Sequence, residues 1–122
     1  MKIHIQTTNI ELTDALSQYV DDKVSQIDKV LDPEDTSVFC DVEIGTITNH
    51  HQTGEIFRAE LNLRAAGSTF RTTSEKEDLY LAINEAKEDM INTVNAHREK
   101  QRDMEIKGGA EVKKMMKNLP DA

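Results

Sequence analysis

At Ser74 the chain changes the period on which its apolar residues recur, and that change restricts the folds open to it. Upstream, Phe57, Ala59, Leu61 and Leu63 alternate with polar residues, as on a strand with one buried face. Downstream, Leu79, Ala82, Ile83, Ala86, Met90 and Val94 recur at steps of three and four, the stripe of an amphipathic helix. Ser74 and Glu77 have the spacing of a capping box, which predicts a helix from about residue 75 towards residue 103.

The remaining segments fall into order around that junction. Residues 2–7 alternate as a strand, with Ile3 and Ile5 on one face and His4 outward. Thr13 is the expected N-cap of a first helix, with Asp14 in its first turn and Leu16, Val20, Val24, Ile27 and Leu31 on its apolar side. Asp32-Pro33 stops it, because a residue before proline prefers extended geometry. Strands follow over 37–47 (Val38, Cys40, Val42 and Ile44 inward), 56–64 and 69–73 (Phe70 and Thr72 inward). The predicted class is α+β, ordered β-α-β-β-β-α, with both helices on one face of a four-stranded sheet. The opposite face carries Asp41, Glu43, Arg58, Glu60, Asn62 and Arg64 and is at least partly wet. Gly108 and Gly109 break the helical pattern, dividing a domain over 1–106 from a basic tail over 107–122, helical or disordered, with Lys113, Lys114 and Lys117.

Little here suggests catalysis. A chain of 122 residues makes one domain with a modest core. The alternating start predicts neither signal peptide nor membrane helix, and the expected location is cytoplasmic. The single cysteine, Cys40, lies in a buried pattern and cannot form an internal disulfide. His50 and His51 sit in an expected hairpin loop without cysteine or a helical histidine partner, so no metal site is expected. No glycine-rich phosphate loop or nucleophile elbow is present. Glu75, Glu77 and Asp78 read as first-turn helix residues. No enzyme activity, cofactor or small-molecule substrate is expected. The formal charge of −8, from 23 acidic and 15 basic residues, opposes nucleic-acid binding overall, although a local basic stripe can coexist with an acidic remainder.

Two separated segments carry a family resemblance. The core Asp78-Leu79-Tyr80-x-Ala82-Ile83-Asn84 resembles the strand-to-helix junction of the bacterial ribosome hibernation factors. These are the short hibernation promoting factors and the related ribosome-associated inhibitor, also called ribosomal subunit interface proteins. Asn9-Ile10-Glu11-Leu12-Thr13-Asp14-Ala15-Leu16 looks like their entry to helix one, commonly Glu-[Ile/Leu]-Thr, a variable residue, then Ala and an aliphatic. Gly67 and Phe70 fall in the expected order between them, and the resemblance covers about residues 1–102.

The resemblance implies a fold similar to double-stranded RNA-binding domains. It implies binding to the small ribosomal subunit near the decoding region, through ribosomal RNA, with translation silenced by steric occupation of the mRNA and tRNA channel. Lys23, Lys29 and Lys100 match basic positions of the family, Arg98 and Arg102 extend the same end of helix two, and Lys87 adds a charge nearby. Ser17 and Gln26 stand where members often carry Arg or Lys, and Asp89, Asn92 and Ala96 interrupt the basic ridge of helix two. Taken singly, Lys23, Lys29 and Lys87 also read as solvated residues partnered by Asp22, Asp28 and Glu88. The alternative function is a protein-interaction module of the same fold that has lost RNA binding, motivated by the charge of −8 and the interrupted ridge.

Overall fold

The structure, a computed structural model, describes residues 1–47 and 54–117. The expected hairpin loop with His50 and His51, and the last five tail residues (118–122), lie outside the described residues. The elements are β1 (Lys2–Thr8), α1 (Asp14–Val24), a 3-10 segment (Ser25–Val30), β2 (Phe39–Ile47), β3 (Ile56–Ala65), β4 (Ser68–Lys76) and α2 (Leu79–Lys117). The fold is α+β in the expected order. Its sheet runs β1-β2-β3-β4, with β1 parallel to β2 and the other neighbours antiparallel.

Period-two alternation in the strands and the helical stripes meet in one core. Cys40, Val42, Ala59, Leu61 and Leu63 point from the sheet towards Val20, Val24, Ile27, Ile83, Ala86 and Met90, all fully buried. Burying each large aliphatic side chain contributes about 1.5–3 kcal/mol, so this shared interior fixes both helices on one face. The Cys40 thiol is pushed up to about 12, by burial first and by the Asp41 charge second. It stays a neutral hydrophobe.

Three local features differ from expectation. The first helix ends at Val24 and continues as the 3-10 segment rather than to Leu31. Val24, Ile27 and Val30 are spaced by three, which suits a helix of three residues per turn whose i and i+3 side chains eclipse. Leu31 then turns extended ahead of Asp32-Pro33.

The second difference concerns the capping box. Ser74 belongs to β4, opposite Ala59, and its hydroxyl donates to the Glu85 carboxylate. Asp78 caps α2 instead, its Oδ1 accepting from the N–H groups of Tyr80 (2.8 Å) and Leu81 (3.2 Å). An aspartate caps as well as a serine, and here the strand ladder already holds the serine. The Thr13 cap forms as expected, accepting from the Leu16 N–H at 3.1 Å. Third, α2 runs through Gly108 and Gly109. Glycine in a helix costs about 1 kcal/mol relative to alanine but does not forbid helical geometry.

Candidate nucleic-acid interface

The open face of the sheet mixes both signs of charge. Arg71 pairs with Glu60, His4 Nδ1 lies 3.3 Å from Asp41, and Arg58 stands opposite Glu75 in the register. Such interleaving leaves no one-sided positive field there. The helical layer is different.

Where α1 and the 3-10 segment meet α2, lysines gather around one carboxylate. Lys87 is 2% exposed, and its ammonium donates to Gln26 Oε1 at 2.9 Å and pairs with Glu88. The Glu88 carboxyl is held below the usual range by Lys87 first, with Lys29 and Lys23 adding to the effect. Lys23 and Lys29, from different elements, thus both act on the Glu88 carboxylate beside the groove between the 3-10 segment and α2. Lys23 sits in the last turn of α1, where the helix dipole favours a cation, and its Nζ lies 5.6 Å from the centre of the Tyr19 ring. The aspartate expected to partner it, Asp22, accepts from Gln18 instead at 2.9 Å.

Arg98 reaches back across the groove, Nη1 donating to the Val30 carbonyl at 2.6 Å. At about 100° per residue, Lys87 and Arg98 lie within about 20° of each other on α2, and Arg102 lies about 40° further round. All three belong to the flank that meets the 3-10 segment. Lys100 does not. It lies about 160° from Arg98, in line with Asp89 and Ala96 on the other flank. Five of the six expected basic residues therefore share one side of the helical layer, and one of the five, Lys87, is interior rather than exposed.

Tyr19 and Tyr80 also belong to this edge of the groove, and charge reasoning alone passed over them. Their rings meet edge to face with centroids 4.6 Å apart, and the Tyr19 hydroxyl donates to the Tyr80 carbonyl at 3.1 Å. The one signal available in the sequence was Lys23 four residues after Tyr19, a spacing that puts both on one helix face. Among the described residues no three His, Cys, Asp or Glu side chains converge as metal ligands, and no helix is long and apolar enough to cross a membrane.

Comparison with known proteins identifies the family. The sequence pattern of the family described as Sigma 54 modulation protein / S30EA ribosomal protein matches residues 3–102. The ribosome hibernation promoting factor of Azotobacter vinelandii is 30% identical over 101 residues, which cover 83% of this chain and 86% of that protein. The ribosome hibernation promotion factor of Lactococcus lactis subsp. cremoris is 24% identical over 99 residues, 80% of this chain but 50% of that protein, so the chain spans half its length. Among solved structures, the N-terminal domain of Thermus thermophilus Protein Y superposes with a TM-score of 0.66 at 26% identity, covering 80% of this chain and 99% of that one. A ribosomal subunit interface protein from Coxiella burnetii, at 16% identity and a TM-score of 0.59 over 80% of this chain and 98% of that one, shares the fold. With most of its length matched and the strand and helix order in agreement, the chain belongs to the Sigma 54 modulation protein / S30EA ribosomal protein family, that of the ribosome hibernation factors.

Proposed function

We propose that the protein binds the small ribosomal subunit and silences translation by occupying the mRNA and tRNA channel near the decoding region. What supports this reading is the family membership, together with Lys23 and Lys29 acting on one carboxylate, Arg98 reaching the 3-10 segment, and helical phase setting Arg102 on the same flank of α2, in a chain whose formal charge is −8. Such a patch suits ribosomal RNA phosphates, with shape contributing more than base readout. Lys87 holds the two helices in register, and Lys100 makes a peripheral phosphate contact on the other flank. Inhibition is steric and needs no covalent chemistry, cofactor or small-molecule substrate. A ribosomal partner implies a cytoplasmic location.

Pelleting with vacant small subunits across a salt series tests the proposal. Saturable binding that weakens with salt is expected. Reversing Lys23, Lys29 and Arg102 to Glu lowers the log–log salt slope by about two to three, one phosphate contact for each cation. No pelleting even at low salt would overturn the reading and favour the protein-interaction module, whose motive is the same acidic charge.

A further inference from the structure

We propose that Tyr80, seated on a Tyr19 ring that Lys23 overlies, is a stacking platform for one unpaired nucleobase of the bound RNA. This rests on the ribosome-binding reading above and assigns part of its contact to a base rather than to phosphate. Three observations carry it.

The first is rigidity. Tyr19 and Tyr80 come from different helices, 61 residues apart, yet the Tyr19 hydroxyl is tied to the Tyr80 carbonyl at 3.1 Å. The rings cross at 89°, so the face of one is braced by the edge of the other. Burial pushes the Tyr19 phenol up, with Asp78 and Tyr80 adding to it, and the group remains a neutral donor to that carbonyl.

The second is exposure where packing does not need it. A clasp between helices requires Tyr19, which is half-buried, to reach α2. It does not require Tyr80 to stand 44% exposed beside Leu81 at 59%. A flat aromatic surface open to solvent at the end of a groove can accept any base, since every base has a π-face.

The third is the adjoining cation. Lys23 lies 5.6 Å from the Tyr19 ring centre and also contributes to the field at Glu88, so the aromatic pair and the basic rim are continuous through one residue. A base on Tyr80 would bring its own phosphate towards that ammonium. The Asp78 carboxylate is turned into the cap of α2, where it accepts from two N–H groups. The occupant is therefore single-stranded RNA with a splayed base rather than the stacked interior of a duplex.

The composition supplies a direct probe. The chain has two tyrosines and no tryptophan, so its intrinsic emission comes from Tyr19 and Tyr80. Titration with a hexauridylate at low salt is expected to quench that emission, whereas an abasic hexamer with the same number of phosphates leaves it unchanged. In subunit pelleting, Y80F retains wild-type affinity. Y80A binds about tenfold more weakly with an unchanged salt slope, because a stack rather than a phosphate contact is lost. The fluorescence arm needs no variant, so it stands even where Y80A loosens the fold. Equal quenching by both oligomers, or wild-type pelleting by Y80A, overturns the platform while leaving ribosome binding intact. Failure of the wild-type protein to pellet overturns the ribosome reading and with it this assignment.

Discussion

Truncating Lys87 separates a structural lysine from an RNA-contacting one. Its side chain is 3% exposed, and its ammonium donates to Gln26 at 2.9 Å across the seam between α2 and the 3-10 segment. Lys87→Ala removes that charged hydrogen bond, which contributes about 1.5–3 kcal/mol in comparable settings. It also deletes three buried methylenes, each worth about 0.8 kcal/mol. Gln26 is exposed and regains water, so the lower end of the hydrogen-bond range applies. The expected loss is about 3–4 kcal/mol, a large share of the roughly 5–15 kcal/mol that holds a domain together. Lys87→Met keeps most of the stem and removes the desolvated charge, and replacing a buried ion by an apolar isostere is often close to neutral, so its loss is about 1 kcal/mol. Urea unfolding of both variants, with the slope compared to confirm the same transition, measures the difference. Equal losses for Ala and Met, or a loss below about 1 kcal/mol for Ala, would refute the packing argument. A Lys87→Met protein that folds normally yet loses the same salt slope as a Lys23 reversal would show Lys87 contacting phosphate directly.

The other predictions concern individual contacts. A Cβ on Gly45 would collide with the Thr8 carbonyl oxygen, so Gly45→Ala forces β1 away from β2. It should cost about 1–3 kcal/mol in urea unfolding, and an unchanged midpoint would contradict the close approach. Asp78→Ala should cost about 1 kcal/mol through loss of the α2 cap. If Ser74→Ala frays the start of α2 and Asp78→Ala does not, the capping assignment is wrong. The Asp35 carboxyl is held below the usual range chiefly by the Ser37 hydroxyl, with the N–H groups of Ala66 and Ser37 also donating. A folded value below the unfolded one stabilises fully above the ordinary carboxylate range, near pH 4, and fades as pH falls through the folded value. The stability gap between wild type and Asp35→Asn should therefore close on acidification, and a gap constant from neutral to strongly acid pH would exclude this linkage.

The strands were readable because their alternation is local. Val38, Cys40, Val42 and Ile44, and their counterparts Ala59, Leu61 and Leu63, point inward as their spacing requires. The turn at Gly67 was equally legible, since its φ of 73° suits a residue without a side chain. What escaped depends on neighbours distant in the chain. Ser74 and Asp78 are both good caps, and only the pairing of β4 with β3 decides between them. Lys87 reads as exposed because lysine is almost never fully buried, yet Gln26, 61 positions away, gives its buried stem a partner for the ammonium. The same separation hid the meeting of Tyr19 with Tyr80. On α2, helical phase alone sets Lys100 apart from Arg98, although the two are adjacent in any charge count.

The parallel pairing of β1 with β2 has a consequence for the order in which the molecule assembles. β2, β3, β4 and α2 are consecutive in the chain and close on one another through short connections, whereas β1 and α1 join by a non-local parallel register from Lys2–Phe39 to Thr8–Gly45. Non-local pairings form late, so the N-terminal unit is the part expected to join last. Tyr19, Lys23 and Lys29 all ride on that unit or on the segment following it, and Tyr80, Arg98 and Arg102 ride on the other. The proposed recognition surface is thus divided between the N-terminal unit and the meander, across the seam between them. A ligand gripping both halves acts as a latch, and amide exchange should slow on binding in β1 and α1 far more than in β3.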